Sequence, residues 1–104
     1  MNELNYIREK LDDCELLCQL AEEAAELSKA ALKLRRVYDG TNPTPVDPYE
    51  AYDNLMEEVA DVKLVLFVLK IGDNAVDYSP RMKAKLSRWA GRLKGSEVGR
   101  GCTD

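Results

Sequence analysis

Two acidic clusters carry the pattern in this chain with the most specific chemistry. The first is Glu22-Glu23-Ala24-Ala25-Glu26, and the second is Glu58-Val59-Ala60-Asp61, preceded by Glu57. On a helix, Glu58 and Asp61 lie about 60° apart and about one turn along the axis. Glu23 and Glu26 repeat that geometry, and Glu22 and Glu26 are neighbours at i, i+4. Like charges at these spacings weaken a helix by roughly a few tenths of a kcal/mol each. Both clusters also sit in apolar stretches, where a carboxylate is costly unless it is paired or bound to a cation. If the two helices pack antiparallel across residues 40–47, the pairs face one another. Four facing carboxylates cannot all stay ionised without a cation. Oxygen ligands alone select a hard ion, Mg²⁺ or Mn²⁺. Each cluster taken singly is an ordinary solvated helix face. Two of them, on consecutive helices with apolar flanks, point to a metal site.

Other chemistry is excluded by composition. The chain has no histidine. That removes His-based triads, Glu-x-x-His di-iron sites and His-containing zinc sites. Three cysteines are present, Cys14, Cys18 and Cys102. An odd count fits reduced thiols. Two thiols at i, i+4 without further ligands make a poor zinc site, so Cys14 and Cys18 are expected as small buried hydrophobes. The net charge of -4 is unevenly placed. Residues 1–80 hold 8 basic and 17 acidic side chains, a net -9, and residues 81–104 hold 7 and 2, a net +5. Such asymmetry suggests an acidic centre served by a basic segment, but it is too modest for a nucleic-acid partner. No apolar run reaches membrane-spanning length, and Lys70 closes the best candidate. The start, MNELNYIREK, lacks an apolar signal core, so a cytoplasmic location is expected.

The elements that must position the acids all read as helices. Leu4, Ile7 and Leu11 predict a short first helix over about residues 2–12. Asp12 or Asp13 ends it or caps the next. Residues 13–38 hold no Gly or Pro and are rich in Ala, Leu, Glu and Lys. Their apolar stripe reads Leu16, Leu17, Leu20, Ala24, Leu27, Ala31 and Leu34. Asp39-Gly40 stops that helix. After a loop with two prolines, Asp47-Pro48 marks a start, with Asp47 as N-cap and Pro48 at N1. The third helix runs to about Ile71 and is apolar on more than one face, the mark of a buried helix. Gly72-Asp73-Asn74 breaks it. Ser79-Pro80 is another start signal, and a start near Asn74 is the alternative. That helix runs to about Lys94, with Met82, Leu86, Trp89, Ala90 and Leu93 on one side. Arg81, Lys85, Arg88 and Arg92 form a basic stripe at i, i+4, i+7, i+11. Residues 1–94 are expected as one all-α domain of about four helices, and residues 95–104 as a flexible tail. Helices of about 25 residues are about 37 Å long, too long for one small subunit to cover. A symmetric oligomer, homodimer or homotetramer, should complete the bundle.

The order Glu22-Glu23-x-x-Glu26 then Glu58-x-x-Asp61 resembles the E-E-x-x-E … E-x-x-D signature of the MazG-like all-α nucleoside triphosphate pyrophosphohydrolases. That superfamily also holds dimeric dUTPases, dCTP pyrophosphatases and phosphoribosyl-ATP pyrophosphohydrolases. The resemblance covers about residues 14–94, through LAEEAAEL, NLMEEVADV and a final helix with Lys85, Arg88 and Arg92. The 31 residues between Glu26 and Glu58 exceed the gap in many members, and the extra length falls in the proline-rich loop. The resemblance implies that Glu23, Glu26, Glu58 and Asp61 ligate Mg²⁺, with Mn²⁺ as a substitute. Glu22 would be a further ligand or a base. Lys85 and Arg88 would bind substrate phosphates. The implied reaction is hydrolysis of a nucleoside triphosphate to monophosphate and pyrophosphate, in nucleotide-pool house-cleaning. Tyr49, Tyr52 and Trp89 are candidates to stack on a base, although packing is the expected role of Trp89. The missing histidine, and the absence of a Ser-Tyr-Thr stretch before the first cluster, count against the phosphoribosyl-ATP branch. The alternative reading is a non-catalytic helical oligomer or binding module with its acids ion-paired at the surface.

Overall fold

The computed structural model describes residues 2–71 and 79–103. Among these it has four helices and no strand: α1 (Glu3–Lys10), α2 (Asp13–Asp39), α3 (Pro48–Val68) and α4 (Ser79–Thr103). None is long and apolar enough to cross a membrane. The chain divides into two units, residues 1–71 and residues 72–104.

The local signals for α2 and α3 act as their residue types dictate. Asp12 caps α2 by accepting from the Glu15 amide at 2.7 Å, and Glu15 reaches back to the Asp12 amide at 3.5 Å. These bonds serve amides that the first turn leaves without partners. At the other end Gly40 takes the left-handed conformation, φ 77°, and the Gly40, Thr41 and Asn42 amides converge on the Arg36 carbonyl. The Thr41 hydroxyl and then its amide donate to Asp39, which holds that carboxyl below its ordinary 3.8. Asp47 caps α3 through the Tyr49 amide, with Pro48 at the first helical position.

The seam between α2 and α3 is a spacing of four and three on both helices. On α2 it runs Leu16, Leu20, Glu23, Leu27, Ala30, Leu34 and Val37. On α3 it runs Ala51, Leu55, Glu58, Val62 and Val65, and Leu69 continues it at the C-cap. All of these are buried or half-buried. This is the inward stripe of a helix packed along its length on a near-antiparallel neighbour. Leu34 and Tyr38 line one recess with Leu55, while Glu23 meets Glu58 and Asp61 further along. The helices therefore run antiparallel across residues 41–47. The seam differs from the expected stripe on α2. Leu17, Ala24 and Ala31 are exposed, because their phase is turned off the α3 contact. Cys14 and Cys18 are exposed too, on the side of α2 away from the seam, so they are not the buried hydrophobes expected.

Helix α3 ends at Val68 rather than near Ile71. Lys70 adopts a left-handed φ of 64°, and the Ile71 amide closes back onto the Leu66 carbonyl at 2.9 Å. This Schellman-like ending needs no glycine, although a side chain there carries strain. The breaker residues 72–74 and a start near Asn74 lie outside the described residues. Arg8 of α1 completes the ending. It donates from Nε to the Val68 carbonyl at 3.1 Å and from a terminal nitrogen to the Phe67 carbonyl at 3.0 Å, and its guanidinium lies over the Phe67 ring. No residue of α1 is buried. In the second unit α4 is described from Ser79 onward. It continues to Thr103, through the glycine-rich segment expected as a tail. No proline follows Pro80, so no backbone donor is missing from the ladder.

Arg8 is thus the main tie between α1 and α3. Arg8→Ala should destabilise the unit by about 1–2 kcal/mol and leave α1 amides unprotected in hydrogen exchange, while the α2 seam stays protected. Arg8→Lys should not restore protection, because one ammonium does not present the guanidinium fork.

Candidate metal centre

Each seam is apolar except for a single glutamate. Glu23 stands between Leu20 and Leu27, and Glu58 stands between Leu55 and Val62. Both are half-buried. The hairpin sets them opposite each other. Asp61, one turn beyond Glu58, reaches the same point from the exposed flank. One carboxylate oxygen from each of Glu23, Glu58 and Asp61 lies within 4.8 Å of the others.

The electrostatics follow from that convergence. Loss of hydration in the seam pushes the Glu58 pKa above its ordinary 4.5. The charges of Asp61, Glu26 and Glu23 push it further, as does a hydrogen bond shared with Asp61. Glu23 is steadied by Gln19, whose amide donates to it at 2.7 Å. Among the described residues no lysine or arginine pairs with Glu23, Glu58 or Asp61; the ion pairs there are Lys29–Glu26 and Arg35–Asp39. Three carboxyl groups converge without a cation from the protein among the described residues. That donor set fits a small hard ion, whose ligands are carboxylate oxygens and water.

The structure sorts the sequence candidates. Glu23, Glu58 and Asp61 come together. Glu26 stays close enough to act on the Glu58 charge, but it turns to Lys29 at 3.5 Å. Glu22 is exposed, about 100° around α2 from Glu23. Lys85 and Arg88 lie on one face of α4, in the other unit. Tyr49 is exposed about 180° around α3 from Glu58, so it does not line the acidic cluster. Gln19 and Lys29 were not singled out from sequence, although their i, i+4 and i, i+3 spacing to glutamates is a legible signal. The chain matches no protein-family profile, no curated protein and no solved structure.

The raised Glu58 pKa has a definite consequence for stability. From the ordinary value upward the unfolded chain ionises first. The contribution of Glu58 to folding is therefore full below that value and is lost as pH rises through the raised one. Glu58→Gln should raise the melting temperature at pH 7 without metal, and the gain should vanish below the ordinary carboxylate pKa. Mg²⁺ should stabilise the unmodified chain by mass action, by about 2.7 kcal/mol at a hundredfold excess over its Kd, and should stabilise Glu58→Gln by no more than about half of that at the same concentration. Melting curves over pH, with Mg²⁺ or EDTA, check both signs.

Proposed function

We propose that the chain is a Mg²⁺-dependent nucleoside triphosphate pyrophosphohydrolase of the MazG-like kind, acting on the cytoplasmic nucleotide pool. One observation carries the reading: glutamates from the centres of two apolar seams meet an aspartate within 4.8 Å, with no protein cation on them among the described residues. A purely structural hairpin gains nothing from acids at those positions.

Glu23, Glu58 and Asp61 hold Mg²⁺, or Mn²⁺ in its place. Glu26 joins them, because its exposed pair with Lys29 is weak and easily exchanged. When bound, the ion supplies Lewis-acid polarisation of the phosphate oxygens. Glu22, on the exposed edge of the cluster, accepts a proton from a water oriented toward phosphorus. Lys85 and Arg88 share one face of α4, and a basic face of that kind suits phosphate charge. Reactions of this class depend on positioning and charge neutralisation more than on a covalent nucleophile, which suits a chain without histidine.

The same reading includes assembly as a homodimer or homotetramer. Met56, Leu64 and Phe67 lie along the outer side of α3, with Ile71 beyond its end, and are 40–57% exposed, so the helix carries a second apolar stripe opposite its seam. A second copy of the chain covers it. That stripe is also the observation that favours the other reading, a non-catalytic helical oligomer.

Product identity separates the two. Incubation with Mg²⁺ and a panel of nucleoside triphosphates should release pyrophosphate and a monophosphate in equal amounts. Glu58→Gln should lower the rate by about a hundredfold or more with the fold intact. Orthophosphate with a diphosphate would mean a different reaction, and no turnover across the panel would favour the oligomer without catalysis.

A further inference from the structure

A recess of about 310 Å³ opens on the hairpin, and by helix phase Glu26 and Asp61 fall on the same flank. Its polar lining is Lys33 from α2 and Glu50, Asp53, Asn54 and Glu57 from α3, with Val46 and Ala51 as its apolar floor. The volume is at the lower end for small-molecule sites and suits one heterocycle rather than a whole nucleotide. The recess lies on the loop side of the metal centre, next to it along α3. Asn54 lies one turn before Glu58 on α3, about 6 Å along the axis, and Asp53 and Glu50 follow toward the loop. Lys33 lies two turns beyond Glu26 on α2.

The donor and acceptor inventory is unbalanced in a useful way. Asp53 and Glu57 only accept, Lys33 only donates, and Asn54 does both. None of these four side chains makes a hydrogen bond or ion pair within the described residues, so each is free to turn to a ligand. Carboxylates flanking an amide suit a ring edge that presents an amino group beside an acceptor nitrogen. They repel an edge that presents a carbonyl oxygen in place of the amino group.

We infer that this recess is the base subsite, and that Asp53 and Asn54 select nucleotides whose base carries an exocyclic amino group. The inference rests on the proposed nucleotide ligand, with its phosphate at the acidic cluster and its base directed along α3 toward the loop. Asp53 accepts from the amino group, and the Asn54 amide donates to the adjacent ring nitrogen. Lys33 closes the recess from the α2 side. The selection is about tenfold, because a charge-assisted hydrogen bond at a solvent-open site contributes little more than that.

Two matched pairs test it, each changing one amino group to a carbonyl. With millimolar Mg²⁺ present, calorimetric titration should show dCMP binding about tenfold tighter than dUMP, and dAMP about tenfold tighter than dIMP. Asp53→Asn should bring both ratios close to one. Both positions are exposed, so neither Asp53→Asn nor Asn54→Ala threatens the fold. Ratios near one in the unmodified chain would overturn the inference. So would ratios that survive both substitutions, or no binding of any of the four. Selective binding without pyrophosphate release would leave the subsite standing and remove the hydrolase reading. Hydrolysis indifferent to the base would do the reverse.

Discussion

Glu23 and Glu58 face each other where two leucine-rich helices would otherwise close. Everything else in residues 2–71 is arranged around that conflict. A carboxylate in the seam loses hydration, and a second one opposite adds repulsion. The raised pKa of Glu58 registers both effects, with lost hydration first and the neighbouring charges after it. Leucine at both positions would continue the seam without penalty. The proposed cation would relieve that conflict by neutralising both charges.

The hairpin tolerates this because its ends are well fixed. Asp12 and Glu15 at one end of α2, Gly40 at the other, and Asp47 with Pro48 at the start of α3 satisfy the backbone groups that helix termini leave open. Arg8 does the same for the end of α3 and ties α1 to it. The core is thin, with Leu16, Ala30, Leu34, Ala51, Val65 and Val68 its buried members among the described residues. The long helices are therefore aligned by their caps as much as by their core. The register that places Glu23 against Glu58 depends on both.

Much of this was legible in the sequence, and the misses share one cause. Caps and stops are local signals, and Asp12, Gly40 and Asp47 act where their residue types place them. The i, i+3 geometry of Glu58 and Asp61 is likewise local. The phase of a seam is not local. Leu16, Leu17, Leu20, Ala24, Leu27, Ala31 and Leu34 form a plausible stripe on α2, and alanine fits either side of a helix. The partner helix selected the phase that takes in Glu23 and Ala30 instead, which leaves Leu17, Ala24, Ala31 and both cysteines outside. The same choice separates Glu23 from Glu26, which sequence spacing treats alike. A stricter reading was available, because a glutamate interrupts the four-three spacing once on each helix. The end of α3 was hidden for another reason. It depends on Arg8, 60 residues away in the chain, and on a lysine in a conformation that composition assigns to glycine.

The central claim is that the two seam glutamates hold a divalent cation together. Titration with Mn²⁺, followed by the paramagnetic resonance of the free ion, tests it without reference to any substrate. The account predicts saturable binding with a Kd of about 10⁻⁴–10⁻³ M, the range of weaker oxygen-ligand sites. Glu23→Gln and Glu58→Gln should each weaken it about tenfold or more, and Glu9→Gln, on α1, should leave it unchanged. Mn²⁺ that stays free at millimolar concentration would contradict the account, as would binding indifferent to the two seam substitutions.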